Sequence, residues 1–393
     1  MTPWKIPLTD TTLGEEEALA AAEVVRSGWL TQGERVIAFE REFAAMVGVS
    51  HAVAVNNCTV GLEVAYAAVG VSPGDEVIVP ALTFVATANA ASRLGARPVF
   101  ADVTDDDDLC VSPDDIARKV TPRTRAVVAV HYAGFAADIA RIRSALDAAG
   151  ASHVAIVEDC AHAPGATARP GDATTGRCGS LGRAAAFSFF SNKNMTTGEG
   201  GMVTTDNEGV AQALRLLRSH GMTTTTWDRH RGHAFSYDVT RVGTNARMDE
   251  IRAAIGRVQL GRVHDANRRR AEVVRAYREA ITERAREFGA LGVPFSREGY
   301  GEGSHHLFVV LLPEGADRQR VMTVMREAGV QTSVHYPPTH RFSAYTNGPP
   351  GAVSLPVTDR VVARILTLPL GPAMTCEHVT AVLDALARGL STA

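Results

Sequence analysis

"HAVAVNNCTVGLEVAYAAVGVSPGDEVIVP", residues 51–80, holds a strand, a helix and a second strand in one short stretch. The apolar run His51–Val55 reads as a buried strand. "TVGLEVAYAAVG" (59–70) has helical spacing and ends at a glycine, and "GDEVIVP" (74–80) is β-rich again. Working outward, the alternation continues. Downstream come the helix "TFVATANAASRLG" and the strand "RPVFADV", then the β-rich runs "RAVVAVHY", "HVAIVED" and "AAAFSFF". The helix "ADIARIRSALDAAG" lies between the first two of those runs. Upstream, "LGEEEALAAAEVVRSG" and "ERVIAFEREFAAMVG" predict two helices, the first with acids in its opening turn. Strands and helices alternating this way predict a parallel sheet covered by helices on both faces, with functional residues at the carboxyl ends of the strands.

From Met248 the pattern changes. "MDEIRAAIGRVQLGRVHDANRRRAEVVRAYREAITERAREFG" predicts one or two long helices. Strands near "HHLFVVLL" and "VQTSVHY" and helices near "DRQRVMTVMREAG" and "CEHVTAVLDALARG" complete a smaller α+β unit. We divide the chain into a large domain, residues 1–250, and a small C-terminal domain, residues 251–393. With 393 residues, 45% hydrophobic and 21% charged, the chain is long enough for both cores. A net charge of −3 without basic clusters argues against nucleic acid and anionic membranes as partners. The apolar runs are too short to span a bilayer, and "MTPWKIPLTD" lacks a signal-peptide pattern. We therefore expect a soluble cytoplasmic protein. Five irregularly spaced cysteines fit reduced thiols, and the thirteen histidines include no ligand cluster, so no metal is expected. His305 and His306, being adjacent, are expected on opposite faces of a strand.

Three local patterns carry chemistry. In "VAIVEDCAHAPGA" a buried strand ends in Glu158 and Asp159, which is costly unless a carboxylate meets a cation. The plainer alternative is that Asp159 caps a helix starting at Cys160. His162 follows three residues later and can share a face with Asp159. In "FSFFSNKNMTTGEGGMVTT" (187–205), Lys193 is the one lysine among small polar residues, after a strand and before glycines that bring backbone close to something. A partly desolvated lysine is a nucleophilic amine; a loop lysine is otherwise simply solvated. In "NNCTVGLEVA" a strand runs into a helix whose free N–H groups, with the Thr59 hydroxyl, suit a phosphate. Capping by Asn57 or Thr59 is the alternative.

Together the three describe a pyridoxal phosphate site: a lysine for the Schiff base, a carboxylate for the pyridinium nitrogen and a cradle for the phosphate.

The chain resembles the DegT/DnrJ/StrS family of sugar aminotransferases over nearly its whole length. The resemblance rests on "VRSGWLTQGERVIAFEREFA", "GDEVIVPALTFVATANA", "RPVFADV", "VEDCAHAPGA", "SNKNMTTGEGGMV", "GTNARMDEIRAAIGRVQL" and "VHYPPTH", in that order. It implies the α/β fold type I of pyridoxal-phosphate enzymes, a mixed and mostly parallel sheet between helices, with a smaller C-terminal α+β domain. It also implies a homodimer with sites at the subunit interface. By position, Lys193 becomes the Schiff-base lysine and Asp159 the partner of the pyridine nitrogen. Phe84 stacks on the ring, His162 sits by the phenolic oxygen, and Cys58, Thr59 and Ser188 hold the phosphate. Asn245 reaches that phosphate from the neighbouring subunit. Trp29, Thr31, His335 and Tyr336 border the substrate.

The chain departs from the family in places. Asn57, Cys58 and Thr59 stand where Ser-Gly-Thr is common, His162 where Gln is common, and "GTNAR" lacks two interface aromatics. Relatives with histidine in place of the lysine are dehydratases, a branch that Lys193 disfavours. The expected reaction moves an amino group from L-glutamate to a nucleotide-linked keto sugar, with a dTDP-4-keto-6-deoxyhexose favoured by "SGWLTQG". Two rivals are a glutamine-dependent keto-cyclitol aminotransferase and a non-catalytic regulator that binds the cofactor.

Overall fold

A computed structural model describes residues 4–10, 12–169, 176–224, 226–232, 236–346 and 353–391. The strands among the described residues are β1 (His51–Val55), β2 (Glu76–Pro80), β3 (Arg97–Ala101), β4 (Thr124–Val130), β5 (Ala155–Asp159), β6 (Ala184–Ser188), β7 (Gly201–Thr205), β8 (Phe308–Leu311) and β9 (Ile365–Leu368). The helices up to the middle of the chain are α1 (Glu15–Ser27), α2 (Glu34–Val47), α3 (Cys58–Ala68), α4 (Ala86–Arg93), α5 (Pro113–Lys119), α6 (Ile139–Ala148), α7 (Glu208–Arg218) and α8 (Thr226–His230). The rest are α9 (Glu250–Leu260), α10 (Val263–Glu283), α11 (Ala285–Phe288), α12 (Arg318–Glu327), α13 (Ser343–Thr346), α14 (Pro356–Arg364) and α15 (Cys376–Ser391).

The large sheet has the order β1-β7-β6-β5-β4-β2-β3. Six strands share one direction, and β7 alone runs against both its neighbours. The sheet is thus mixed and mostly parallel, as the resemblance implies, and "GMVTT" is the strand that breaks the parallel run. Adjacent residues of a strand feed different cores. Val77 and Val79 of β2 pack with Leu62 of α3 and Leu214 of α7, while Ile78 packs with Ile116 of α5 and Ile142 of α6. Burial on both faces is why these strands read as unbroken apolar runs.

Gly201 makes one close approach possible: a Cβ there would lie 2.9 Å from the carbonyl carbon of Asn57 and the amide nitrogen of Cys58. The glycine therefore lets β7 pass the entry to α3, within its own chain.

The predicted long helical segment breaks at Gly261 into α9, which packs on α1 and α2, and α10, which packs on α15. The hairpin of β8 and β9, with α10, α12 and α15, encloses a separate core around Tyr277, Phe308 and Leu383. "VQTSVHY" forms no named strand; Val330 bridges to Ile6, and Ser333 to Thr367 of β9. His305 and His306 precede β8 rather than lie in it, and His305 has a positive φ of 50°. Among the described residues no helix is long and apolar enough to cross a membrane.

Helix α2 starts at Gly33, which has no side chain to cap it. Glu250, 3% exposed at the start of α9, does so from a distance. Its Oε1 accepts from the N–H groups of Gly33 and Val36 and its Oε2 from that of Arg35, each at 2.9 Å. A carboxylate on a helix N-terminus makes strong, charge-assisted hydrogen bonds. Glu250→Ala strands these donors, so we expect a loss on the order of 3 kcal/mol. Urea unfolding should show a lower midpoint at unchanged slope; an unmoved midpoint would mean that water replaces the carboxylate without cost.

Candidate active site

Because six strands point the same way, the loops after their carboxyl ends converge. They enclose a cavity of about 870 Å³ lined by Cys58 and Thr59 after β1, Phe84 after β2, and Val130 at the end of β4. Asp159 and His162 line it from β5 onward, and Ser188, Asn192 and Lys193 from β6 onward. His335 and Tyr336 close it from the C-terminal segment. Nine of the twelve residues picked out from the sequence thus meet in one space. Trp29, Thr31 and Asn245 do not line it. Trp29 packs its ring against Trp227 and His230, with centroids 4.9 and 4.4 Å away. Thr31 and Asn245 are exposed, and Asn245 bridges to Ser219.

Asp159 ends β5, the middle strand, and is 5% exposed. Its Oδ2 accepts from the Thr87 hydroxyl at 2.8 Å and its Oδ1 from the Ala161 N–H at 3.1 Å. No helix follows at Cys160, so Asp159 holds a turn and not a helix cap. Burial raises its pKa, and among the described residues no cation forms an ion pair with it. A buried carboxylate in this state calls for a positive group. Glu158, on the opposite side of the same strand, is fully supplied instead. It accepts from the N–H groups of Gly179, Leu181 and Gly182 and pairs with His131 Nε2 at 2.8 Å. His131, Glu158 and Cys160 come within ligand range of one another, but the Ala137 N–H already donates to His131 Nδ1.

Lys193 sits half-buried on the loop after β6. Burial pulls its amine down to about 8, against the opposing attraction of Asp159 and Cys58. Near neutral pH a usable fraction is therefore uncharged and nucleophilic. At the start of α3 the Asn57 side chain takes the Val60 N–H at 2.9 Å. That helix geometry leaves the N–H groups of Cys58 and Thr59 without partners in the helix, aimed where an anion is favoured. The alternatives thus coexist: Asn57 caps, and the cradle remains. Burial pushes the Cys58 thiol well up, so it enters as a neutral group.

His162 is held by Tyr336, whose hydroxyl is 2.9 Å from Nε2. Among the described residues its buried Nδ1 has no partner, nor has Asn192 Oδ1, and both residues line the cavity. Burial and the nearby Lys193 keep His162 neutral. Phe84 leaves 57% of its surface exposed, with its ring over the same space. Ser188, at the end of β6, is buried.

These residues fit pyridoxal phosphate: an uncompensated carboxylate for a pyridinium nitrogen, a lowered lysine, unpartnered N–H groups for a phosphate, and an open aromatic face for a ring. Bound there, the cofactor supplies an aldehyde that captures amines and a ring that draws electrons from the adjacent carbon. The residues do the rest. Asp159 would hold the ring nitrogen's proton, and Lys193 Nζ would be placed to move a proton to and from the substrate carbon.

Sequence reasoning missed Thr87, which holds Asp159, and His306, which lies 3.4 Å from Lys193 Nζ. Thr87 lies within the quoted motif "GDEVIVPALTFVATANA", but nothing in its local setting points to Asp159, and His306 stands in no pattern that marks it. Both reach the site through tertiary packing.

Fold and site together define a pyridoxal-phosphate-dependent transferase of fold type I. More narrowly, the chain belongs to the DegT/DnrJ/EryC1/StrS aminotransferase family, whose model matches residues 11–387. It is 39% identical over 391 residues to the spore coat polysaccharide biosynthesis protein SpsC of Bacillus subtilis (strain 168), covering 98% of this chain and 96% of that one. Among solved structures it is similar to DesI, determined in the presence of its TDP-sugar product. That likeness has a TM-score of 0.83 at 33% identity and covers 98% of this chain and 91% of that one. The putative sugar aminotransferase Spr1654 of Streptococcus pneumoniae, in its PLP form, aligns with a TM-score of 0.88 at 26% identity, covering 98% and 99%. A PMP form of the same protein is known. The protein is a pyridoxal-phosphate-dependent sugar aminotransferase.

Asp159→Asn keeps the shape and removes the charge. We expect cofactor to bind while turnover falls about 100-fold, roughly 3 kcal/mol of transition-state stabilisation. Steady-state kinetics of the reconstituted variant check this, and unchanged turnover would remove Asp159 from the chemistry.

Proposed function

We propose that this enzyme transfers the amino group of L-glutamate to C4 of a dTDP-4-keto-6-deoxyhexose. Glutamate leaves as 2-oxoglutarate, and the sugar ketone becomes an amine. The observation that carries this reading is the likeness to DesI and its TDP-sugar product. The name of SpsC supports a surface polysaccharide as the destination of the product. Lys193 carries the covalent bond to the cofactor and shuttles the proton, and Asp159 pairs with the ring nitrogen. Phe84 stacks on the ring, His162 offers Nδ1 to its phenolic oxygen, and Cys58, Thr59 and Ser188 hold the phosphate. His335 and Tyr336 border the sugar.

Trp29, Thr31 and Asn245 complete the site across a dimer interface in this proposal. Their absence from the cavity of their own chain supports it, as do the exposed apolar side chains Leu19, Val25, Leu30 and Ile37 around α1 and α2. An asparagine amide can donate to phosphate from a neighbouring subunit.

The substrate is tested by mixing the pyridoxamine form with a panel of keto sugars and following recovery of the pyridoxal absorbance. We expect recovery with the dTDP-4-keto sugar and reloading by glutamate. Recovery with a keto-cyclitol alone, and reloading by glutamine alone, would overturn the proposal.

The shared site has its own test. Lys193→Ala and Asn245→Ala chains are mixed under conditions that exchange subunits. One site of each heterodimer then carries both lesions and the other neither, so activity should exceed that of the two parents assayed separately. Exchange without recovery would place Asn245 in its own subunit's machinery.

A further inference from the structure

A buried hydrogen-bond chain ends on the amine of Lys193. At its far end the Pro164 carbonyl accepts from Asn267 Nδ2 at 2.8 Å. Asn267 Oδ1 in turn accepts from Asn194 Nδ2 at 2.8 Å, and the same Nδ2 donates to the Ser304 carbonyl at 2.6 Å. Backbone carbonyls only accept, so these two fix the orientation of both amides. Asn194 Oδ1 is left as an acceptor, 3.0 Å from His306 Nδ1, and that nitrogen must carry the hydrogen. A neutral imidazole protonated at Nδ1 presents a lone pair at Nε2. That lone pair lies 3.4 Å from Lys193 Nζ. Asn194, Asn267, Ser304 and His306 are all buried, so water does not compete for these bonds.

We propose that His306 is a positioning residue for Lys193, its Nε2 accepting a hydrogen from Nζ and holding the amine whenever the lysine is free. No proton leaves the lysine in this contact. Around His306, burial and then Lys193, His162, Arg270 and His335 all oppose a charge on the ring, so it remains an acceptor. Around Lys193, Asp159 and Cys58 favour the ammonium and burial opposes it. An acceptor at 3.4 Å adds to the side of the ammonium while fixing the direction of Nζ. The role is independent of which sugar the enzyme aminates.

The test uses cofactor-free protein. Competitive acetylation followed by mass spectrometry of the Lys193 peptide gives the pH at which the amine becomes reactive. His306→Phe keeps an aromatic ring but has no acceptor, so the midpoint should fall by about one pH unit. In the reconstituted enzyme the same variant should lose kcat with little change in the KM for glutamate. His306→Gln, which keeps an acceptor, should restore the wild-type midpoint. A midpoint unmoved by His306→Phe, or shifted equally by both variants, overturns the proposal. Should His306→Phe not fold, nitrogen-15 NMR of the unmutated apoprotein decides through the tautomer. A protonated Nδ1 and a bare Nε2 at His306 support the proposal, and the opposite tautomer overturns it.

Discussion

A carboxylate lies buried at the end of the middle strand of a seven-stranded sheet, with no cation paired to it among the described residues. Desolvation makes such a charge expensive, and a hydroxyl from Thr87 and one N–H from Ala161 do not repay it. A fold that keeps Asp159 there calls for a positive partner, and in the proposed function the cofactor's ring nitrogen is that partner. The comparison with Glu158 makes the point. One residue earlier and on the other side of the strand, an equally buried carboxylate collects three N–H groups and an imidazole. The protein satisfies Glu158 and leaves Asp159 wanting.

The rest of the site follows from strand direction. Because β1, β2, β4, β5 and β6 end on the same side, the helix entry at Cys58, the ring of Phe84 and the loop of Lys193 arrive around one cavity without further devices. The C-terminal segment supplies what the sheet cannot. His306 reaches the lysine, and Tyr336 holds His162 at 2.9 Å. Lys193 is thus addressed from two bodies of the fold, Asp159 and Cys58 on one side and His306 on the other.

Much of this was legible in the chain. Alternating apolar runs and helical stretches marked the strands, since the central ones are largely buried on both faces. The lysine after β6, the acidic end of β5 and the small polar entry to α3 stood out because each is chemically out of place in its local setting. Strand β7 did not, because "GMVTT" offers only Met202 and Val203 as an apolar run. His306 did not either: its partners lie 112 and 113 positions away in sequence.

The sequence by itself determined the class of fold and the cofactor and marked Lys193 and Asp159 as candidates, since local patterning and out-of-place charges are properties of short segments. Only the tertiary structure decided which of the two acids, Glu158 or Asp159, collects the fuller set of partners. It also decided which nitrogen of His306 faces the lysine, and that Trp29, Thr31 and Asn245 stand outside the cavity of their own chain. Those outcomes depend on hydrogen bonds and burial between segments far apart in the chain, and no local pattern encodes them.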